Sequence, residues 1–347
     1  MVEIKTEGIL LMKTELGFEN EGVLNPAVIK EGDFVHIFYR AVRIGNYSSI
    51  GYCKLLGPTT IVERHDVPLI IPQYEYESQG VEDPRIVKIG DLYYLSYTAY
   101  DGMNALGAYA ISTDLKKFEK QGIIVAKIQY EEFKHLAEVK GDVNEKYFTG
   151  HLFEIIIKRL NENIYMWDKN VVFFPRKINN KFYFLHRIRP GIQLVSVNSF
   201  QELTKEFWEN YFLHFKENIV LDPKHNHEAS YMGGGCPPIE TEHGWLLIYH
   251  GVCDTPKGFV YSACAALLDL ENPLKEIARL PNALFSPVYD WELHGVVNNV
   301  VFPTGTALFD DTLYVYYGAA DQQIGCVSLS LSALVSELLL NVKKNAD

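Results

Sequence analysis

Two acids, a proline and an arginine lie together in the segment Gly80–Ile86, just ahead of a strand-like run that extends to Tyr100. Because Asp83 precedes a proline, we expect its backbone to be extended or polyproline-like rather than helical. A carboxylate held at the start of a strand beside Arg85 could serve as a catalytic acid, as a base or as a sugar ligand. The simpler alternative is a turn aspartate that only initiates the strand.

The elements that would position this segment follow a pattern that occurs five times along the chain. Each copy contains a proline, a short strand, a turn of Gly, Asn or Asp, and an aromatic strand with a polar residue at or just beyond its end. The aromatic strands are Phe34–Arg40, Leu92–Thr98, Phe182–Arg187, Trp245–His250 and Leu313–Gly318. Turn residues between two apolar runs indicate hairpins, and the spacing leaves room for two further strands per copy. Four-stranded units repeated around an axis form a propeller, so we predict an all-β fold, a five-bladed β-propeller.

No low-complexity linker divides the chain, which predicts a single domain over residues 1–347. The widest gap between copies, residues 129–170, carries a mixed-charge run. We interpret it as an insertion within a blade, either a short helix or a surface flap. Residues 331–347 form a tail whose first part has helical spacing and is expected to pack on the outside.

Polar residues at corresponding strand ends are expected to meet at one mouth of the axial channel. These residues are Arg40, Asp101, Arg187, His250 and Asp321, with Asn25 and Asp83 in the loops near the same rim. Arginines, a histidine and carboxylates in one funnel suit a sugar, whose hydroxyls need charged partners. The alternative is that these groups pair with one another and only close the axis.

Composition narrows the class of partner. The formal net charge of −12 argues against nucleic acid and against an anionic membrane, because both attract Lys and Arg. The five cysteines lack a CxxC spacing, which favours reduced thiols in a cytoplasmic protein. No apolar run approaches the roughly 20 residues of a membrane span, and the first residues lack the apolar core of a signal peptide. The pattern leaves the oligomeric state open, with a homo-oligomer as one option.

No motif predicts a metal or another cofactor. The segment His225–Glu228 contains two histidines and a glutamate but lacks two further ligands at a defined spacing. The run Gly233–Gly235 is not followed by Lys and Ser or Thr, as a nucleotide-binding P-loop would be.

Several motifs in combination resemble glycoside hydrolase family 130. They are Gly80–Ile86, Tyr97–Gly102, Pro237–Ile239 with Gly244–Leu246, Tyr249–Val252, Ala266–Asp269, Asn299–Pro303 and Tyr317–Asp321. The resemblance extends from about Asn25 to Asp321 and implies a five-bladed propeller that acts on β-mannosides with inversion. Most characterised members are phosphorylases, and a subset hydrolyses β-1,2-linked mannosides. The resemblance also implies that Asp83 is the proton donor, acting through a sugar hydroxyl.

The choice between phosphate and water as nucleophile depends on the basic residues around the site. A phosphate dianion needs a cationic cradle, and the resemblance implies two arginines, a lysine and a histidine for it in phosphorylases. This chain keeps Arg187 and His250. Lys169 or Asn170 stands at the first arginine, and Tyr231 stands at about the position of the lysine.

Glu228 lies three residues before Tyr231 and adds a carboxylate that would repel phosphate and could deprotonate a water. An inverting hydrolase needs an acid and a base about 6.5–9.5 Å apart. We therefore expect hydrolysis of β-1,2-linked manno-oligosaccharides, with Asp83 as acid and Glu228 as base. One alternative is an inverting phosphorylase that takes inorganic phosphate and releases mannose 1-phosphate. The other is a non-catalytic sugar-binding propeller, in which Glu228 is an ordinary loop carboxylate.

Overall fold

The computed structural model describes residues 2–141, 143–149 and 164–344, which are mainly β-strand. The strands are β1 (Lys5–Leu11), β2 (Gly22–Glu31), β3 (Phe34–Arg43), β4 (Tyr47–Leu56), β5 (Thr60–Arg64), β6 (Gly80–Ile89), β7 (Leu92–Tyr100), β8 (Ala105–Ser112), β9 (Glu119–Ile123), β10 (Lys169–Phe173), β11 (Phe182–Arg187), β12 (Ile192–Val197), β13 (Ile219–Leu221), β14 (Tyr231–Gly234), β15 (Ile239–Thr241), β16 (Gly244–Thr255), β17 (Gly258–Leu268), β18 (Glu276–Arg279), β19 (Val301–Phe309), β20 (Thr312–Ala319) and β21 (Gln323–Ser330). The helices are α1 (Tyr130–Glu138), α2 (Lys146–Thr149), α3 (Lys205–Leu213), α4 (Asp290–Leu293) and α5 (Leu331–Lys344). The predicted all-β class is confirmed. Among the helices of these ranges, none has the length and apolar character needed to span a membrane.

The strands form four sheets, and the largest sheet contains two units joined by a single parallel bridge between Ser48 and Gly80. We therefore distinguish five units: A (β2–β5), B (β6–β9), C (β10–β13), D (β14–β18) and E (β19–β21 with β1). Paired strands within each unit are antiparallel. In unit E the outermost strand is β1, which pairs with β21, so the first strand of the chain completes the last unit.

Five apolar clusters hold the units together, and each cluster lies between two consecutive units. The pairs A–B, B–C, C–D and D–E each share one cluster. A fifth cluster joins unit E back to unit A through residues such as Tyr316 and Val23. The first strands of units A to D contact one another in order, and β19 of unit E contacts β2. Burial of apolar side chains between faces is what fixes this order of units.

The predicted aromatic strands are the second strands of the five units, namely β3, β7, β11, β16 and β20. Each lies between a first strand and a third strand of its own unit. In unit D the first strand is divided into β14 and β15, and both halves pair with β16. The segment Gly235–Pro238 between the halves is not part of either strand, although the backbone N–H of Cys236 still donates to the carbonyl oxygen of Ile248 on β16 over 2.9 Å.

The first strands are bent where site residues stand. The ladder register shifts between residues 24 and 27 of β2 and between residues 82 and 85 of β6. At these bulges Asn25 and Asp83 both have a φ of 48°. Asn and Asp tolerate this left-handed conformation because their short polar side chains bond locally. The prediction of an extended backbone at Asp83 is wrong, since the bulge and not the following proline sets its conformation.

Helical excursions lie beside unit C and at the end of the chain. The predicted insertion at residues 129–170 contains α1 and α2. Residues 150–163 of that segment lie outside the described residues. Helix α3, which the sequence pattern did not indicate, packs Phe212 edge-on against Phe133 of α1. In the tail, α5 buries Leu334 and Leu338 in the cluster between units D and E.

Candidate active site

An acidic cluster lies where units A, B and E meet. It consists of Asn25, Arg40, Glu82, Asp83 and Asp321. Asn25 donates from Nδ2 to Oδ1 of Asp83 over 2.7 Å. Arg40 donates to Glu82 over 2.7 Å and lies 3.5 Å from the Asp83 carboxylate. Asp321 follows β20 and interacts electrostatically with Arg40 and Asp83. The structure thus brings together four predicted site residues, Asn25, Arg40, Asp83 and Asp321.

Burial and charge act in opposite directions on these carboxyls. Burial alone would raise the pKa of Asp83, but Arg40 and Lys169 help to hold that pKa below its ordinary value. Burial raises the pKa of Glu82 in spite of Arg40, and it raises the pKa of Asp321 to about 6. In the unliganded protein at neutral pH, Asp83 is therefore a carboxylate. An anion bound near Lys169 would weaken the positive field that keeps Asp83 ionised.

Arg85 fixes the acidic cluster against unit D. Its side chain is buried and donates to the carbonyl oxygens of Gly235 (2.8 Å), Gly234 (3.3 Å) and Asp83 (2.5 Å). The ring of Phe302 covers the guanidinium, with 5.6 Å from its carbon to the ring centroid. Because these acceptors are all backbone carbonyls, Arg85 sets the position of Asp83 relative to the glycine segment and is not offered to a ligand.

A cationic cluster lies beside the acidic one. It consists of Lys169, Arg187, Arg189 and His250. Lys169 on β10 stands directly opposite Arg187 on β11. Both arginines lie over the ring of Tyr231, at 3.9 Å for Arg189 and 5.6 Å for Arg187, measured from guanidinium carbon to ring centroid. Lys169 and Arg187 also interact electrostatically with Asp83. The structure thus joins the predicted residues Arg187, Tyr231 and His250, and it adds Lys169 and Arg189.

The members of the cationic cluster depress one another's pKa values. Burial and the charge of Arg187 lower the pKa of Lys169 to about 8. Burial and the charge of Arg189 lower the pKa of Arg187 to about 10. Burial and the surrounding cations hold the pKa of His250 well below its ordinary value, so its imidazole is neutral. Such mutual repulsion is relieved when an anion binds among the cations.

The imidazole of His250 is buried and makes no hydrogen bond within the part of the chain that the structure describes. It packs 4.3 Å from the ring of Phe302, centroid to centroid. Gly233 also lies against the ring, and a Cβ there would approach the imidazole to 2.6 Å, so only glycine fits. Neither ring nitrogen of His250, nor Nε of Arg187, has a partner among the described residues. Buried polar atoms without partners are costly, and a bound ligand that satisfies them removes that cost.

Glu228 lies apart from both clusters, in a turn ahead of β14, and is fully buried. Its Oε1 accepts from the backbone N–H groups of Lys224 (2.9 Å) and His225 (3.1 Å) and from Arg279 (2.8 Å). Its Oε2 accepts from the hydroxyl of Tyr249 over 2.8 Å. A carboxylate that is bonded in this way and closed to solvent has no room for an attacking water. The assignment of Glu228 as a base is therefore withdrawn, as is the picture of a surface carboxylate.

Asp101 also differs from the expectation that it joins the strand-end residues. Its carboxylate accepts from the backbone N–H groups of Met103 (2.8 Å) and Asn104 (2.6 Å) and from the side chain of Asn104 (2.9 Å). These bonds close the loop after β7, in the usual manner of an aspartate that starts a turn. The contacts of Asp101 are thus structural.

Sequence reasoning missed three residues of the site. The family pattern marks Lys169 only as a departure, and the sequence does not show that it pairs across the strands with Arg187. Arg189 stands two residues after Arg187 but lies in the turn that follows β11, so strand alternation does not predict its position. The one usable signal was a second arginine close by in the sequence. Glu82 was visible in the same segment as Asp83, but nothing in the sequence showed that it would pair with Arg40.

An all-β chain of repeated four-stranded units that gathers an acid and a set of cations has the form of a carbohydrate-active enzyme. The family model of glycoside hydrolase family 130, described as beta-1,4-mannooligosaccharide phosphorylase, matches residues 14–339. The chain belongs to this family.

Relatives and solved structures agree with that assignment. A 1,2-beta-oligomannan phosphorylase of Thermoanaerobacter sp. (strain X514) is 34% identical over 334 residues, covering 93% of this chain and 95% of the relative. A beta-1,2-mannobiose phosphorylase of the same organism is 33% identical over 342 residues, covering 94% and 95%. The structure of the beta-1,2-mannobiose phosphorylase from Listeria innocua superimposes with a TM-score of 0.72 at 23% identity, over 97% of this chain and 99% of that chain.

These findings correct the expectation of hydrolysis. The relatives that align over nearly the whole chain are named phosphorylases, as is the family model. The expectation depended on a missing cationic cradle and on Glu228 as base. The structure contains a cationic cluster with Lys169 in it, and it places Glu228 among structural bonds.

Proposed function

We propose that the protein is an inverting β-mannoside phosphorylase that acts on β-1,2-linked manno-oligosaccharides and releases mannose 1-phosphate. One observation carries the proposal. Lys169 and Arg187 of the cationic cluster interact electrostatically with the buried Asp83, and the same two cations interact with the buried imidazole of His250. A phosphate needs charge-assisted partners, and an inverting displacement needs that nucleophile and an acid around the same sugar. The names of the two relatives from Thermoanaerobacter support the β-1,2 linkage.

The roles of the residues follow from this arrangement. Phosphate binds to the cationic cluster, and one of its oxygens attacks the anomeric carbon of the mannosyl unit. The bond from that carbon to the leaving sugar oxygen breaks, and Asp83 supplies the proton, through a sugar hydroxyl as the family resemblance implies. Phosphate reduces the positive field that holds Asp83 ionised, so its binding favours protonation of the acid. Asn25 and Arg40 orient the Asp83 carboxyl.

The fold that supports this site is, in our proposal, a closed five-bladed propeller with units A to E as blades. Five clusters between five consecutive units, the last of which returns to the first, support a ring. Completion of unit E by β1 supports closure, because it ties the first strand of the chain to the last unit. A ring brings first strands from distant parts of the sequence around one axis.

Product analysis with and without phosphate tests the proposed function. Purified protein is incubated with β-1,2-mannobiose, β-1,4-mannobiose and longer oligomers of each, with inorganic phosphate or in phosphate-free buffer. We expect mannose 1-phosphate and a shortened acceptor only when phosphate is present, with turnover highest on the β-1,2 series. Release of free mannose at the same rate without phosphate would refute phosphorolysis. Preference for the β-1,4 series would refute the linkage alone.

A further inference from the structure

In every unit, a buried aromatic residue on the second strand forms a hydrogen bond to a buried acid. The pairs are Tyr39–Glu19, Tyr97–Glu77, His186–Asp168, Tyr249–Glu228 and Tyr317–Glu292, with bond lengths of 2.7, 3.1, 2.8, 2.8 and 2.6 Å. The residues that directly follow the aromatic member are Arg40, Thr98, Arg187, His250 and Gly318. Successive side chains of a strand point to opposite faces. We call each of these five hydrogen-bonded pairs an anchoring pair. Each pair therefore lies on the opposite face of the strand from the residue that follows its aromatic member.

The anchoring pair of unit D joins three elements. Glu228 belongs to the turn before β14, Tyr249 to β16 and Arg279 to β18. Arg279 bonds Glu228 and also donates to the carbonyl of Asp222 over 2.8 Å. Gly251 allows the turn to approach β16, because a Cβ there would lie 2.8 Å from the carbonyl oxygen of His227. The strand that carries His250 is therefore held from the side opposite the cationic cluster.

His250 has greater need of such an anchor than the other strand-end residues. Arg40 is held by its own bonds to Ser48 (2.8 Å) and Glu82. The imidazole of His250 makes no hydrogen bond within the described ranges and packs against Gly233 and Phe302. Its position is therefore set by the backbone of β16, which the preceding residue, Tyr249, ties to Glu228.

We propose that Tyr249 and Glu228 are positioning residues for His250, and that they set the affinity of the cationic cluster for phosphate without touching it. The inference rests on the proposed function, and it gives Glu228 a role different from the base first expected. It concerns the protein's own anchoring pair and not the reaction itself.

A matched pair of variants tests the inference. Tyr249→Phe removes the hydroxyl behind His250. Tyr97→Phe removes the equivalent hydroxyl of unit B, where Glu77 also accepts from two backbone N–H groups and pairs with a basic residue, Lys120. We expect both variants to lower Tm to a similar extent. Only Tyr249→Phe should raise KM for phosphate, by about tenfold, with KM for the mannoside nearly unchanged.

Two further measurements distinguish a failure of the positioning role from a failure of the proposed function. Glu228→Gln should reproduce the rise in KM for phosphate while it keeps kcat within about tenfold of wild type, since a base would lose far more. Calorimetric titration with inorganic phosphate measures binding without turnover, so it decides the inference even if wild-type protein shows no phosphorolysis. Equal effects of Tyr249→Phe and Tyr97→Phe on phosphate binding, or no effect of either, would overturn the positioning role. Absence of phosphate-dependent turnover in wild type would overturn only the proposed function.

Discussion

The acidic and cationic clusters of the site differ in how their buried charges are balanced. In the acidic cluster, Arg40 pairs with Glu82 and Asp83, Asn25 donates to Asp83, and Asp321 adds a third carboxyl that interacts electrostatically with Arg40. In the cationic cluster, Arg187 and His250 are buried and Lys169 is partly exposed, and neither ring nitrogen of His250 nor Nε of Arg187 has a partner among the described residues. The acidic cluster thus holds charges of both signs, whereas the cationic cluster as defined contains no acid, and we propose that an anion neutralises it. This difference supports the proposal that phosphate binds on the cationic side of the site, while the acid Asp83 is held on the other side.

Among the substitutions that test this difference between the clusters, removal of the acid should have the largest effect on catalysis. Asp83→Asn keeps the size of the side chain and its bond to Asn25 but cannot deliver a proton, so kcat should fall by about 10²–10⁴-fold. Phosphate affinity should stay within a few-fold, because the cationic cluster remains. Rates are measured by release of mannose 1-phosphate and affinity by calorimetry. Retention of wild-type kcat would remove Asp83 from its role.

Neutralisation of a buried cation should give the next largest effect, and it should appear in the other cluster. Arg187→Gln removes charge-assisted hydrogen bonds worth about 2–3 kcal/mol, so KM for phosphate should rise about 30- to 150-fold. Arg176→Gln is the control, since Arg176 pairs with Glu240 on the exposed surface and should change neither constant. A similar loss in both variants would indicate general instability in place of a lost phosphate contact.

The low pKa of Lys169 predicts a pH dependence for phosphate binding. Lys169 carries its charge below a pKa of about 8 and loses it as the pH rises through that value. The apparent affinity for phosphate should therefore decline above about pH 8, while kcat at saturating phosphate declines less, because bound phosphate raises the pKa of the lysine. Lys169→Arg keeps the charge, so it should flatten the pH profile of phosphate affinity between about pH 7 and about pH 9, on either side of that pKa. An unchanged profile in Lys169→Arg would show that another group titrates.

The smallest effect concerns stability and the acidic cluster. Burial first, with a contribution from Asp83, raises the pKa of Asp321 from 3.8 to about 6, so the folded chain loses stability as the pH rises from the lower to the higher value. Asp321→Asn removes this loss. Because Asp321 is partly exposed, we expect a gain of about 1–2 kcal/mol in the free energy of unfolding at pH 7 and none near pH 4, measured by urea titration. A gain in stability that is equal at both pH values would show that the raised pKa of Asp321 is not its cause.

The sequence by itself determined the repeat and most of the strands. Periodic aromatic runs such as Leu92–Thr98 and turns such as Gly90-Asp91 are local signals, and the second strands β3, β7, β11, β16 and β20 formed where those signals stood. The Glu-Asp-Pro-Arg segment pointed to Asp83 for the same reason, since residue type and neighbours are local properties. The bulge that gives Asp83 its left-handed backbone was not visible, because it depends on register against β7.

Only the tertiary structure decided which charges meet. Glu228 looked like a base from its neighbours in sequence, yet Arg279 and Tyr249 reach it from β18 and β16 and make it structural. Lys169 looked like a substitution, yet its place opposite Arg187 makes it part of the cationic cluster. Electrostatic interaction falls off with distance in space and takes no account of distance along the chain. The sum of charges around one atom is therefore a property of the fold.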